Sequence, residues 1–137
     1  MGLKSRRKGA SGERQCAAYL RTLGFEDARR RMQSDGFRAG EVECLDSLPN
    51  VHFEVKYGYA SGFGCGTALW HQACDQAAHD CHDREFAVMW REKSCTIWKL
   101  TVASPNGVGG AATYAGDQSI QDMLKWLNNG KEGSLIC

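Results

Sequence analysis

Several features that would place this chain in a common class of protein are missing. Its 137 residues contain no apolar run long enough for a signal peptide or a membrane span, and the basic start at residues 1–8 has no apolar stretch behind it. There is also no internal repeat and no recognition-helix or zinc-finger pattern. We therefore expect a soluble, cytoplasmic protein with no membrane partner and no small-molecule cofactor.

Paired cysteines are missing as well. The seven cysteines are an odd number and include no CxxC pair, and no secretory signal accompanies them, so free thiols are favoured over a disulfide framework. Histidines and cysteines do crowd into one segment, but their spacing matches no standard zinc site. The crowded positions are His71, Cys74, His79, Cys81 and His82. The pattern favours a reduced, partly buried helix over bound zinc.

What is present suits one compact domain with an uneven charge distribution. The chain is 42% apolar and 24% charged, which predicts a single domain, here at residues 10–137. Residues 1–9 are too polar and charged to pack and are predicted to be a flexible basic arm. Residues 1–38 carry ten Lys/Arg against four Asp/Glu, a net charge of +6, and residues 39–137 carry seven against twelve, a net charge of −5. A nucleic-acid enzyme with clustered carboxylates would show this split, as would a solvated basic tail on an acidic surface.

The apolar periodicity predicts an α/β fold in the order helix, three strands, helix, two strands, helix. The predicted helices cover residues 11–24, 68–81 and 118–128, and the predicted strands cover residues 25–33, 40–45, 51–57, 85–90 and 95–102. Residues 91–94 are predicted to be a hairpin loop, and the glycine-rich residues 103–116 a loop or lid. The second and third strands are joined by a turn, which favours an antiparallel hairpin. We expect a mixed sheet flanked by helices.

The strand at residues 51–57 carries the strongest chemical signal. Val51, Phe53, Val55 and Tyr57 alternate with His52, Glu54 and Lys56. Glu54 and Lys56 therefore share one face, where a carboxylate could bind metal and an ammonium could handle a proton or contact a phosphate. Taken alone, the pattern also fits a solvated ion pair.

Further charged residues lie where they could support such a site. Glu13 falls in the first turn of the predicted first helix, where it could interact with the helix dipole or point into a metal site. Glu41 and Glu43 share one face of the hairpin's first strand, and one of them could lie beside Glu54. Three consecutive arginines at residues 29–31 put charge on both faces of their strand, so at least one should contact a bound polyanion.

Several short motifs together give the chain a family resemblance. Residues 8–14 read Lys-Gly-Ala-Ser-Gly-Glu-Arg, residues 23–25 Leu-Gly-Phe, residues 28–30 Ala-Arg-Arg, residues 48–56 Leu-Pro-Asn-Val-His-Phe-Glu-Val-Lys, and residues 75–77 Asp-Gln-Ala before a Val-Met-Trp-Arg strand. In their joint spacing over residues 8–102, these motifs resemble phage Holliday-junction resolvases of the PD-(D/E)xK nuclease superfamily. The resemblance implies a restriction-endonuclease-like fold.

The resemblance also implies roles for individual residues. Glu13 would be the helix carboxylate that binds metal, Glu54 the second acidic ligand and Lys56 the motif lysine. The backbone carbonyl of Val55 would be a further metal ligand. Gln76 matches a helix glutamine that approaches such sites, although a hydrogen bond between helix and sheet would suit it equally well.

The first acidic ligand is where this chain departs from the family. The family usually has Pro-Asp-Val where this chain has Gly40-Glu41-Val42. Glu41 is the first candidate because Val42 follows it as in the family. Glu43 is the second candidate, and Asp46, in the turn, is the third.

The implied activity is hydrolysis of DNA at four-way (Holliday) junctions by a homodimer. Oxygen ligands favour Mg²⁺, with Mn²⁺ as a substitute, and such an ion would stabilise the charge that develops at the phosphate. The basic side chains expected to bind the DNA backbone are Lys4, Arg6, Arg7, Lys8, Arg29, Arg30 and Arg31. Two alternatives remain open: a related nuclease acting on flaps, mismatches or restriction sites, and a non-catalytic nucleic-acid-binding domain.

Overall fold

A computed structural model describes residues 3–30, 41–59, 85–92, 95–103 and 111–130. Within these residues the chain forms two helices and six strands. The elements are α1 (Leu3–Thr22), β1 (Arg29–Arg30), β2 (Glu41–Glu43), β3 (Val51–Tyr59), β4 (Glu85–Glu92), β5 (Lys99–Ala103), β6 (Ala111–Ala115) and α2 (Asp117–Asn128). None of the helices in this part of the chain is both long and apolar enough to cross a lipid bilayer.

The strands form one mixed sheet in the order β1-β2-β3-β4-β5-β6. Neighbouring strands are antiparallel except for β3 and β4, which are parallel. The predicted α/β class with a mixed sheet is thus confirmed, as is the antiparallel pairing of β2 with β3. A parallel pair requires a crossover connection. The helix predicted at residues 68–81 falls in this connection and lies outside the described residues.

The hydrophobic core lies between one face of the sheet and both helices. The helices bury a stripe at the spacing of an amphipathic helix, as predicted. These residues are Cys16, Ala17, Leu20 and Leu23 of α1 and its C-terminal turn, and Ile120, Met123, Leu124 and Leu127 of α2. The sheet contributes Val42, Phe53, Met89 and Leu100. Gly24 follows α1 with a φ of 100°, a conformation that glycine adopts without steric cost.

The start of α1 differs from the prediction. The helix begins at Leu3 rather than at Ser11, so residues 3–9, predicted to be a flexible arm, have a helical backbone. The lysines and arginines in this stretch are good helix formers, and their preference extends the helix beyond the amphipathic stripe. A polar, charged sequence does not by itself exclude a helical backbone.

The strands at the carboxyl-terminal side of the sheet also differ. Residues 111–115 form β6, although residues 103–116 were predicted to be a loop or lid, and β6 pairs along its whole length with β5. Alanine has a weak strand preference, so the pairing, including a 2.8 Å hydrogen bond between the Thr101 and Thr113 hydroxyls, determines the conformation. β4 continues to Glu92, so Arg91 belongs to a strand rather than to the predicted hairpin loop.

Candidate functional site

Strand β3 presents the two faces that its sequence predicts. Val51 and Phe53 are buried in the core, whereas Glu54 and Lys56 lie half-buried on the other face. The Lys56 Nζ is 3.8 Å from the Glu54 Oε1, and the two side chains are 21% and 17% exposed. An ion pair of this length and exposure contributes little to stability. The two groups therefore form a partly solvated pair on the central strands of the sheet.

The hairpin brings a second carboxylate position next to this pair. In the antiparallel ladder between β2 and β3, Glu41 is the register partner of Glu54, and Val42 is the partner of Phe53. Register partners in antiparallel strands belong to the same face of a sheet, with their Cβ atoms about 5 Å apart. The backbone position of Glu41 is therefore the one expected for a carboxylate that acts together with Glu54.

The two alternative acidic candidates are in other surroundings. Glu43 is 5% exposed and accepts hydrogen bonds from the Arg29 guanidinium, with both Nε and Nη2 at 2.7 Å from its Oε1. Arg29 is also its register partner on β1. Asp46 is exposed in the turn before β3. These contacts give Glu43 a partner within the sheet, whereas Glu41 has Glu54 as its register partner.

Glu13 is not where the sequence predicts it. It lies about three turns into α1, so its predicted place in the first turn, beside the helix dipole, is wrong. Its buried carboxylate accepts a 2.5 Å hydrogen bond from the Arg30 Nε. Arg30 is the register partner of Val42, which is adjacent to Glu41 on β2. Because adjacent strand residues face opposite ways, the Glu13–Arg30 pair and the Glu54–Lys56 pair belong to opposite faces of the sheet.

The remaining predicted site residues lie on β3, β1 and α1 or outside the described residues. Val55 packs its half-buried side chain against the core. The side chain of Arg29 is 65% exposed, more than that of Arg30 on the same strand. Lys4, Arg6, Arg7 and Lys8 lie on the helical backbone of α1, and their side chains are outside what the structure describes. Gln76 and Arg31 lie outside the described residues.

A hydrogen-bonded clamp holds the turn between β2 and β3. The half-buried Asp27 accepts hydrogen bonds from the backbone amides of Asp46, at 2.6 Å, and Ser47, at 3.1 Å, and from the Ser47 hydroxyl. Burial acts to raise the pKa of Asp27, but these hydrogen bonds outweigh it and lower the pKa below its ordinary value. The clamp therefore binds the ionised carboxylate and fixes the turn that returns the chain toward Glu54.

A cluster around Arg91 was not predicted. The Arg91 Cζ lies 4.7 Å from the centre of the Tyr57 ring and 5.2 Å from the centre of the Trp98 ring. Its Nη2 donates hydrogen bonds to the Gln15 Oε1, at 2.7 Å, and to the Tyr57 hydroxyl, at 2.9 Å. Gln15 in turn donates to the Ser11 hydroxyl at 3.2 Å. The strand alternation placed Tyr57 toward the core, but no local pattern in the sequence joins it to Arg91.

Comparisons with protein-family models, with curated proteins and with solved structures found no match to this chain. Among the residues that the structure describes, no group of three or more His, Cys, Asp or Glu side chains is placed to hold a metal ion. The donors that the hairpin brings into register are both carboxylates, which suit a hard divalent cation such as Mg²⁺ better than zinc.

Proposed function

We propose that this chain is a metal-dependent endonuclease of the PD-(D/E)xK type that resolves four-way DNA junctions. One observation carries the proposal: Glu54 and Lys56 share a face of β3, with 3.8 Å between their charged atoms, and Glu41 is the register partner of Glu54 on β2. This combination brings the backbone positions of two glutamates and one lysine together on one sheet face.

In the proposed site, Glu41 and Glu54 would hold Mg²⁺ or Mn²⁺, with the Val55 carbonyl as a further oxygen ligand. If both carboxylates reached one divalent cation, its charge would offset the repulsion between them. When bound, the ion would supply Lewis acidity and an activated water for phosphodiester hydrolysis.

The chain's own residues supply the remaining chemistry. Lys56 is half-buried beside Glu54, where its ammonium can orient the attacking water or stabilise negative charge on the phosphoryl oxygens. Glu13 binds Arg30 on the other face of the sheet, so we give it the role of holding that arginine rather than a metal ion. Gln76 stays a candidate for approaching the site from the predicted second helix.

The proposed substrate rests on the family resemblance and on charge. Contacts to phosphates position a protein on DNA without reading its base sequence. The exposed Arg29 and the basic N-terminal turns of α1 would make such contacts, so branch geometry rather than base sequence would select the substrate.

The test is cleavage of a labelled synthetic four-way junction in the presence of Mg²⁺. We expect cleavage by the wild-type protein and losses on the order of 10²-fold or more for Glu54→Gln and for Lys56→Ala, because each removes an electrostatic contribution at the reacting phosphate. Both variants should keep the wild-type circular dichroism spectrum and junction affinity. Full activity in either one would remove the proposed site.

Glu41→Ala and Glu43→Ala form a matched pair within this experiment. Glu41→Ala should abolish cleavage with little change in melting temperature. Glu43→Ala removes the partner of Arg29, so it should cost about 1 kcal/mol of stability and retain activity at a temperature where it is folded. The reverse pattern would assign the metal to Glu43.

Competition experiments separate the alternatives. Equal competition by linear duplex, with cleavage intact, would indicate a nuclease that acts on another DNA structure. Junction binding without cleavage in Mg²⁺ or Mn²⁺, and with the same affinity in EDTA, would indicate a non-catalytic nucleic-acid-binding domain.

A further inference from the structure

The positive charge of Arg91 is not matched by an acidic side chain in the described part of the chain, unlike that of the other strand cations. Those cations pair with carboxylates as Arg29–Glu43, Arg30–Glu13, Lys56–Glu54 and Lys99–Glu92. Arg91 instead donates to a neutral amide oxygen and a neutral hydroxyl. A half-buried guanidinium bound to neutral acceptors keeps its attraction for an anion.

The surroundings of Arg91 fix the guanidinium in one orientation. The rings of Tyr57 and Trp98 lie against it, and its Nη2 donates to two acceptors. Its Nε is buried and has no hydrogen-bond partner among the residues that the structure describes. A planar guanidinium held against aromatic rings, whose Nη2 hydrogen bonds go to neutral acceptors, suits a phosphate oxygen.

Arg91 lies close to the proposed site along the sheet. It is the register partner of Tyr57 on β3, and the preceding residue Trp90 is the partner of Lys56. With strands about 4.8 Å apart and a rise of about 3.3 Å per residue, the Cα atoms of Arg91 and Lys56 are about 6 Å apart. The two side chains belong to opposite faces of the sheet. A DNA strand that passes the carboxyl ends of β3 and β4 can therefore meet both.

Helix α1 connects Arg91 to the basic N-terminal turns. Ser11 and Gln15, which lead to Arg91 by hydrogen bonds, are four positions apart on α1. Lys4 and Lys8 fall on the same helical stripe, at the i, i+4, i+7 and i+11 spacing that aligns residues along one face. The stripe from Lys4 to Gln15 is about 16 Å long and leads toward Arg91.

We infer that Arg91 is a phosphate-contacting residue that extends a DNA-backbone track from the basic turns of α1 to the sheet end beside Lys56. The inference rests on the proposed function, because it assumes that the bound polyanion is the DNA substrate. It assigns Arg91 to binding and positioning of DNA, with no part in the chemical step.

The test is the salt dependence of binding of a labelled four-way junction, measured in EDTA so that no cleavage occurs. Each phosphate contact contributes about 0.9 to the slope of log affinity against log salt concentration for duplex DNA. We expect Arg91→Met to reduce the slope by about 0.9. A purely structural role would lower the melting temperature and leave the slope unchanged.

Two further variants, Gln15→Glu and Lys99→Met, each lower the net charge by one, as Arg91→Met does. Gln15→Glu keeps the side-chain size and places a carboxylate where the Gln15 Oε1 is 2.7 Å from the Arg91 Nη2, so it should neutralise Arg91 in place and reduce the slope equally. Lys99→Met removes a cation that also lies over a ring, that of Trp90 at 4.9 Å, but that already pairs with Glu92 at 3.2 Å. It should leave the slope unchanged.

The outcomes separate this inference from the proposed function. Unchanged slopes in Gln15→Glu and in folded Arg91→Met would overturn the inference, as would an equal reduction in Lys99→Met, which would indicate a general charge effect. If Arg91→Met does not fold, Gln15→Glu decides alone. Junction binding with the expected slopes but without cleavage in Mg²⁺ would defeat the nuclease proposal only. An absence of junction binding by the wild-type protein would overturn both.

Discussion

The glutamates of this chain differ in the cationic group that each one contacts and in how far each is buried. Glu43 and Glu13 are buried, and each accepts a hydrogen bond from an arginine of β1. Glu54 is more exposed and has a lysine ammonium at 3.8 Å. The same residue type therefore has a structural role at two positions and a chemical role, in our proposal, at the third.

Asp27 gives a prediction about pH and stability. Its pKa in the folded protein is lowered below its ordinary value of 3.8 by the hydrogen bonds from Ser47 and Asp46, which outweigh the effect of burial. The carboxylate therefore contributes stability above pH 3.8, and this contribution is lost as the pH falls through the lowered pKa. We expect Asp27→Asn to lower the melting temperature near neutral pH and to flatten its decline in acid.

Thermal unfolding of the wild-type protein and of the Asp27→Asn variant at several pH values between neutral and acid checks this prediction. The exposed neighbour Glu26 offers a matched control, and Glu26→Gln should preserve the wild-type pH profile. An Asn variant with the same acid sensitivity as the wild-type protein would show that the clamp does not require the ionised carboxylate.

At the scale of helices and strands, the periodicity of apolar residues predicts which side of each element faces the core. The stripes of α1 and α2 and the alternation in β3 could be read from the sequence, because spacing along the chain decides which side chains meet the core. The pairings Glu43–Arg29, Glu13–Arg30 and Tyr57–Arg91 could not, because each depends on which strands become neighbours. For the same reason the local sequence does not predict β6, whose alanine-rich segment pairs with β5.

The contact between α1 and β3 gives a prediction about Gly12. A Cβ atom at this position would lie 2.6 Å from the Tyr57 Cβ and 2.8 Å from its Cγ. The obstacle is next to the backbone of β3, so the helix itself would have to shift. Alanine favours a helix over glycine by about 1 kcal/mol, but overpacking typically costs about 1–3 kcal/mol, so we expect Gly12→Ala to be net destabilising.

Chemical denaturation measures the free energy of unfolding of the Gly12→Ala variant. Ala18→Gly, at an exposed position of the same helix, reports the intrinsic preference alone and should cost about 1 kcal/mol. Because Tyr57 also holds Arg91, Gly12→Ala should weaken junction binding as well. A variant more stable than the wild-type protein would mean that α1 does not pack this closely against β3.

At the scale of the whole molecule, the sheet separates two kinds of surface. One face packs against α1 and α2 and forms the core, whereas Glu54 and Lys56 lie on the other face. The excess of basic residues falls in residues 1–38, with a net charge of +6, and the remainder has a net charge of −5. In our proposal, DNA bound by the basic turns of α1, the helix on the core face, would pass the end of the sheet to reach Lys56, and Arg91 lies at that end.

The size of the molecule leads to the last prediction. A four-way junction needs two related incisions, and a chain of 15.1 kDa offers one Glu54–Lys56 pair. Two-fold symmetry is the commonest arrangement of soluble oligomers and matches the approximate symmetry of such a junction. We expect light scattering to give twice the chain mass at micromolar concentration. Dimers that combine one wild-type chain with one Glu54→Gln chain should nick the junction on one strand without completing the second cut. A monomer mass together with paired, symmetric incisions would contradict the dimer and require each chain to cut twice.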